Sequence, residues 1–133
     1  MYGYQSVSVN SGDTSGGSGS STANNTSSHV VVGQICSIGV TYNGSPPSST
    51  DVVIATAGNN GPALTILTLT NANSDGWFHP RHKIDDESAA DITYDGTNEV
   101  YEKVCVADNI KVTVSQANDD DSVDVVVVYY AGA

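Results

Sequence analysis

The stretch Ile110-Lys111-Val112-Thr113-Val114-Ser115 alternates apolar and polar residues. After Ala117-Asn118-Asp119-Asp120-Asp121 the pattern resumes as Val123-Asp124-Val125-Val126-Val127-Val128-Tyr129-Tyr130. A period of two is the mark of a strand with one buried face, and an Asn/Asp cluster between two such runs predicts a hairpin loop. Val112, Val114, Val123, Val125 and Val127 are assigned to the core face. Val126, Val128 and Tyr130 make the opposite face of the second strand apolar as well. That predicts cover on both sides, within a sandwich or beneath a neighbouring subunit.

Working outward, the β-branched run from Val30 to Val40 reads as one long strand or two short ones broken near Gly33. Turn signals stand at Asn43-Gly44-Ser45-Pro46-Pro47, Gly58-Asn59-Asn60-Gly61-Pro62 and Asp95-Gly96. Strands are predicted over residues 51–57, 63–70, 91–94 and 100–106. In the second of these the phase slips between Ile66 and Leu67, which predicts either burial on both faces or a bulge. No segment sustains a helical period, and residues 85–90 suffice for one helical turn at most. About eight short strands with frequent turns predict an all-β fold, a single β-sandwich or jelly-roll-like domain.

The domain division follows from composition. Residues 29–133 form the sandwich body, and residues 1–28 read as an N-terminal arm. Within the arm, Tyr2, Tyr4, Val7 and Val9 alternate as a short strand suited to pairing with a partner's sheet edge. Residues 10–28 are nearly all Ser, Gly, Thr and Asn, too polar to offset the entropy of ordering them. As a coil this linker would reach about 24 Å.

Fifteen Asp and Glu against four Lys and Arg give a net charge of −11 over 133 residues. Such a body repels phosphate backbones and anionic lipid, so neither nucleic acid nor membrane is an expected partner. The opening Met1-Tyr2-Gly3-Tyr4 lacks the basic and apolar regions of a signal peptide, and synthesis in a host cytoplasm is the expectation. The spacing of Cys36 and Cys105 permits a disulfide between strands, whereas a cytosolic product favours two buried thiols.

The residues that carry chemistry elsewhere do not assemble a recognisable motif. His79 and His82 flank Pro80 with no third ligand near. Asp119, Asp120, Asp121 and Asp124 lack the Gly and terminal Glu of an EF-hand loop and read as a solvated turn. Asp85-Asp86-Glu87 is a run of consecutive acids, and no serine lies in a nucleophile elbow. The expectation is no catalytic residue, no metal and no cofactor: the chain is not an enzyme. Trp77 with Phe78 suits either a buried aromatic pair or a sugar-stacking surface.

Five stretches resemble a known family. They are Leu64-Thr65-Ile66-Leu67-Thr68-Leu69-Thr70, Asp75-Gly76-Trp77-Phe78-His79-Pro80-Arg81, Ile92-Thr93-Tyr94-Asp95-Gly96-Thr97, residues 104–108, and Ile110-Lys111-Val112-Thr113-Val114. Together they are similar to head decoration, or cement, proteins of tailed bacteriophages. Asp75, Gly76, Trp77, Phe78, Pro80 and Arg81 carry the most specific part of the likeness. The resemblance implies a β-sandwich that sits on the outer surface of the virion capsid, bridges capsomers and stabilises the head. It implies the major capsid protein as partner and a homo-oligomer, a trimer before a dimer. The residues assigned to partner binding are Tyr2, Tyr4, Val7 and Val9 of the arm and Val126, Val128 and Tyr130 of the last strand. The alternative is a carbohydrate-binding β-sandwich of a tail or secreted protein, using Trp77 and the tyrosines.

Overall fold

The structure, a computed structural model, describes residues 3–132. Nine strands occur among the described residues: β1 (Tyr4–Asn10), β2 (Ser21–Asn43), β3 (Asp51–Thr56), β4 (Thr65–Leu69), β5 (Gly76–Phe78), β6 (Arg81–Lys83), β7 (Tyr101–Lys103), β8 (Cys105–Ala117) and β9 (Ser122–Tyr130). The fold is all-β, a sandwich, and β2 is the strand that makes it one.

At about 3.3 Å per residue, a straight strand of the 23 residues in β2 would span about 76 Å. Its two ends nevertheless meet the same loop: Ser21 pairs with Ala117 and Asn43 with Ser122. β2 therefore doubles back. Its first part, as far as Gln34, pairs with β8, and the part from Gln34 onward pairs with β9 and, through Ile38–Val40, with β5. Two layers result. The first holds β1, β9, the second half of β2 and β5; the other holds the first half of β2, β8, β3 and β4.

The bend has local causes. Between Thr26 and Val30 β2 carries extra residues relative to β8, and Ser27 fills the gap: its Oγ accepts from the Ile110 N–H at 2.9 Å and donates to the His29 carbonyl at 2.7 Å. Cys36 is a second extra residue, opposite Tyr129 and Val128. Gly33 lies between them at φ +146°, where a Cβ would collide with the Tyr130 carbonyl oxygen. Only glycine fits that backbone at that approach.

The hairpin predicted over residues 110–130 does not form. β8 and β9 share no ladder; each pairs with a different half of β2, and residues 118–121 carry the chain from one layer to the other. Alternation alone does not distinguish a hairpin from such an arch, because both place one face of each strand in the core. The face assignment itself holds: Val112, Val114, Val123, Val125 and Val127 are buried, facing one another with Ile35, Ile38, Val52, Ile54 and Ile110. The predicted slip at Ile66 is a bulge, since Ile54 and Ala55 face Leu67 and Thr65 with Ile66 extra between them.

The arm is also different from expectation. Tyr2 lies outside the described residues, but β1 pairs along its whole length with β9 of its own chain, and residues 21–28 open β2. The intervening Gly/Ser segment is held by polar contacts rather than apolar burial. Thr14 is the anchor: its N–H donates to the Asp121 carbonyl at 2.7 Å, its hydroxyl donates to the Asn118 carbonyl at 2.6 Å, and its carbonyl accepts from the Asp120 N–H at 2.8 Å. Asn118 Oδ1 accepts from both Ser18 Oγ and the Gly19 N–H at 3.0 Å. A composition argument that weighs only apolar area cannot see such a network.

Residues 81–103 leave the sandwich as a ribbon, β6 against β7, extended by bridges Asp85–Asp91 and Thr93–Glu99. Across it His82 Nε2 stands 3.0 Å from Glu102 Oε1, and Lys83 Nζ 3.3 Å from Glu99 and 3.5 Å from Asp91.

Candidate docking face

Odd residues of β9 point into the core, so Asp124, Val126, Val128 and Tyr130 point out of the first layer. Register then assembles their neighbours on the same face. Val126 lies between Ser8 of β1 and Gly39 of β2, and Gly39 in turn faces Trp77 of β5. Val128 lies between Ser6 and Ser37, and Tyr130 beside Tyr4. Tyr4 and Tyr130 pack edge to face with ring centroids 5.1 Å apart.

Trp77 closes the row. A Cβ built on Gly39 would meet three atoms of its six-membered ring at 2.9–3.1 Å, so the indole lies across the glycine with its other side open. Trp77 is 60% exposed and Tyr4 71%. A shallow hollow of about 250 Å³ beside the ring is lined by Val40, Thr41, Asp75, Gly76 and Val126. From one edge of the layer to the other the face therefore presents Tyr4, Tyr130, Val128, Val126 and Trp77, with small Ser and Thr side chains between. The outer face of the second layer is polar along β8, with Asn109, Lys111, Thr113 and Ser115 opposite Asp51 and Val53 of β3, and carries the exposed Val30 and Val32 of β2 at one end.

Other residues of the Asp75–Arg81 stretch build this arrangement. Asp75 Oδ1 accepts from the Tyr42 N–H at 2.8 Å and so fixes where β5 joins β2. Gly76 pairs with Val40 and lies against the Phe78 ring. Phe78 packs inward against the core, Pro80 is buried, and Arg81 Nη1 donates to the Cys36 carbonyl at 3.3 Å, tying the ribbon to the bulge in β2. Trp77 is the large apolar side chain of the stretch that emerges.

Of the residues assigned to partner binding, Tyr4, Val126, Val128 and Tyr130 meet on this face. Val7 and Val9 do not: Val9 is 4% exposed within the core and Val7 packs against it, because both lie on the inward side of β1. Asp121 and Asp124 serve the fold. Asp121 accepts from the Ser45 and Asn118 N–H groups at 2.8 and 2.9 Å. Hydrogen bonds from the Asn10 and Asn43 amides hold the Asp124 carboxyl below the usual carboxylate range. Among the described residues no three His, Cys, Asp or Glu side chains gather as metal ligands. Cys36 and Cys105 are free thiols, and Cys105 is exposed rather than buried.

Sequence reading missed two positions. Tyr42 has its hydroxyl buried without a hydrogen-bond partner, and burial together with the nearby Asp75 pushes its pKa up. Asp108, 1% exposed, pins the turn after β3 by accepting from the Gly58 N–H at 2.7 Å, those of Asn59 and Asn60 at 3.2 and 3.3 Å, and its neighbour Asn109 at 2.8 Å. Burial alone would raise its pKa, but these donors outweigh it and lower the value. An acid at an inward position of β8's alternation was the available signal.

No protein-family model matches the chain, and no curated protein matches it. Among solved structures it is similar to FLHE, at 13% identity and a TM-score of 0.45 over 96% of this chain and 98% of that one. It is similar to the SPBc2 prophage-derived protein YomS at 12% identity and a TM-score of 0.40, over 96% of each chain. A mutant of CBM29-2, a family 29 carbohydrate binding module, matches at 11% identity and a TM-score of 0.42, over 98% of this chain and 83% of that one.

Proposed function

We propose that this chain is a virion structural protein of the decoration type, which binds the outer surface of a tailed-phage head through the Trp77 face and bridges its capsomers. Its partner on this reading is the major capsid protein, it is made in the host cytoplasm, and it carries no catalysis and no cofactor. One observation carries the proposal: the Asp75–Arg81 stretch, the most specific part of the resemblance to decoration proteins, is the stretch that sets an exposed tryptophan into an apolar row with Val126, Val128, Tyr130 and Tyr4. Contiguous apolar surface with aromatic anchors is what protein interfaces use, whereas ion pairs at a rim contribute little. A body of net charge −11 has few cations to offer such pairs.

Undecorated heads titrated with the protein at low and high NaCl test this directly. Occupancy should hold or rise with salt as repulsion among acidic copies is screened. Trp77→Ala should weaken binding about 30-fold or more, the loss expected of an aromatic anchor worth about 2 kcal/mol. Occupancy that collapses as salt rises, or that is indifferent to Trp77→Ala, would sink the proposal. The second reading is carbohydrate binding, favoured by the same indole lying with one side open beside Thr41 and Asp75. A glycan array separates the two readings.

A further inference from the structure

The sandwich leaves β1 at the edge of its first layer, with a row of backbone groups turned away from β9. Their phase is set at both ends of the strand. The Ala131 N–H donates to the Gly3 carbonyl and the Ser11 N–H to the Val123 carbonyl, each at 2.9 Å, so odd-numbered residues bond to β9. The N–H and C=O groups of Tyr4, Ser6 and Ser8 point the other way. At Asn10 that edge is closed, since its carbonyl accepts from the Asn25 side chain at 2.9 Å. From Gln5 to Ser8 it opens on a slot of about 520 Å³, lined on its other sides by Ser28, His29 and Val30 of β2 and by Tyr129.

Natural sheets blunt their edges with charges, prolines, bulges or very short strands. The other edges here do so. β5 has three residues between Asp75 and Pro80. β4 is kinked by the bulge at Ile66, and Arg81, His82 and Glu102 of the ribbon line the hollow beside it. The first half of β2 is broken at residues 27–29. β1 reads Tyr4-Gln5-Ser6-Val7-Ser8-Val9-Asn10, seven residues without charge or proline, in unbroken register with β9. It is the one edge among the described residues with none of these devices.

We infer that β1 is a self-association edge, where a second copy of this chain adds its own β1 antiparallel about a two-fold axis through Ser6. The sequence permits that axis. Tyr4 then lies opposite Ser8 of the second copy, Ser6 opposite Ser6, and Ser8 opposite Tyr4, which uses all three outward-facing residues and makes about six main-chain bonds, two per pair. Parity is kept, so inward residues stay inward and the two first layers become one continuous sheet. An uncharged strand is also the place where two bodies of charge −11 approach with least repulsion. The pairing sets each Tyr4–Tyr130 cluster beside Ser8 and Val126 of the other copy and joins the apolar faces of the two copies; it holds whether or not that face meets a capsid.

Sedimentation equilibrium of the full chain tests it, with Ser6→Pro and Ser6→Glu as variants. The Ser6 N–H faces the open edge, so proline removes an intermolecular donor while sparing the bonds to β9. Glutamate sets like charges opposite each other at the axis. The wild type should sediment at twice the monomer mass at tens of micromolar, and both variants at once that mass with thermal melts extrapolated to low concentration unchanged. If proline perturbs the fold, the glutamate variant alone decides. A monomeric or trimeric wild type, or a dimer untouched by Ser6→Glu at low salt, would overturn the inference.

Discussion

Gly33 is the residue on which the two-layer arrangement turns, and replacing it with alanine should be severe. Its φ of +146° lies in a region that side chains other than glycine's rarely adopt, and a Cβ there would overlap the Tyr130 carbonyl oxygen. Neither problem is relieved by a rotamer change, because the obstacle is backbone. Holding a non-glycine residue in such a conformation costs about 1–3 kcal/mol. Forcing an extra carbon into occupied space adds about 1–3 kcal/mol. Gly33→Ala should therefore lose about 2–6 kcal/mol; with an m-value of about 1.5–2 kcal/mol per molar, the urea midpoint falls by about 1–4 M. Gly39→Ala is the control. Its φ is unstrained, and the three atoms nearest its new methyl, at 2.9–3.1 Å, all belong to the Trp77 ring, which can swing into solvent. Tryptophan fluorescence should then shift in Gly39→Ala while the midpoint falls by less than about 1 kcal/mol equivalent. Equal midpoints for the two variants would refute the account of the bend.

Val125→Ala, at a fully buried site, should lose about 1–3 kcal/mol, whereas Thr113→Ala on the outer side of β8 should lose under about 1 kcal/mol; similar urea midpoints would mean the strand faces are inverted. Tyr42→Phe removes a hydroxyl that is buried without a partner, so it should be neutral or stabilise by about 1 kcal/mol, read as a melting temperature that holds or rises by a few degrees. The lowered pKa of Asp108 predicts a contribution that is complete above its unfolded value of about 4 and is lost as pH falls through the lower folded value. The gap in stability between wild type and Asp108→Asn should therefore be widest near neutral pH and narrow from about pH 4 downward; a gap that widens with acid would show that the carboxylate is not what holds the turn.

The candidate docking face was partly legible. Val126, Val128 and Tyr130 announced themselves as a second apolar face on one strand, and Trp77 stood out within the Asp75–Arg81 stretch. What placed them together was not local. Trp77 is separated from Val126 by 49 positions, and they meet because both flank Gly39 of β2. No short-range pattern reports that a strand doubles back and so brings β5 and β9 to opposite sides of one segment.

The alternation in β3, β8 and β9 by itself determined the all-β class, the buried faces and the approximate strand positions, because burial of every second side chain is a property of the strand alone. Only the tertiary structure decided which strands pair. β8 and β9 look like a hairpin and form an arch because β2, bent at Ser27, Gly33 and Cys36, offers each of them a separate ladder. The Gly/Ser segment looks like a linker and is ordered because Thr14, Ser18 and Gly19 find partners in residues 118–121, about a hundred positions away. Hydrogen-bond partners so far apart in the chain leave no trace in local composition; the fold has to bring them together before they can stabilise it.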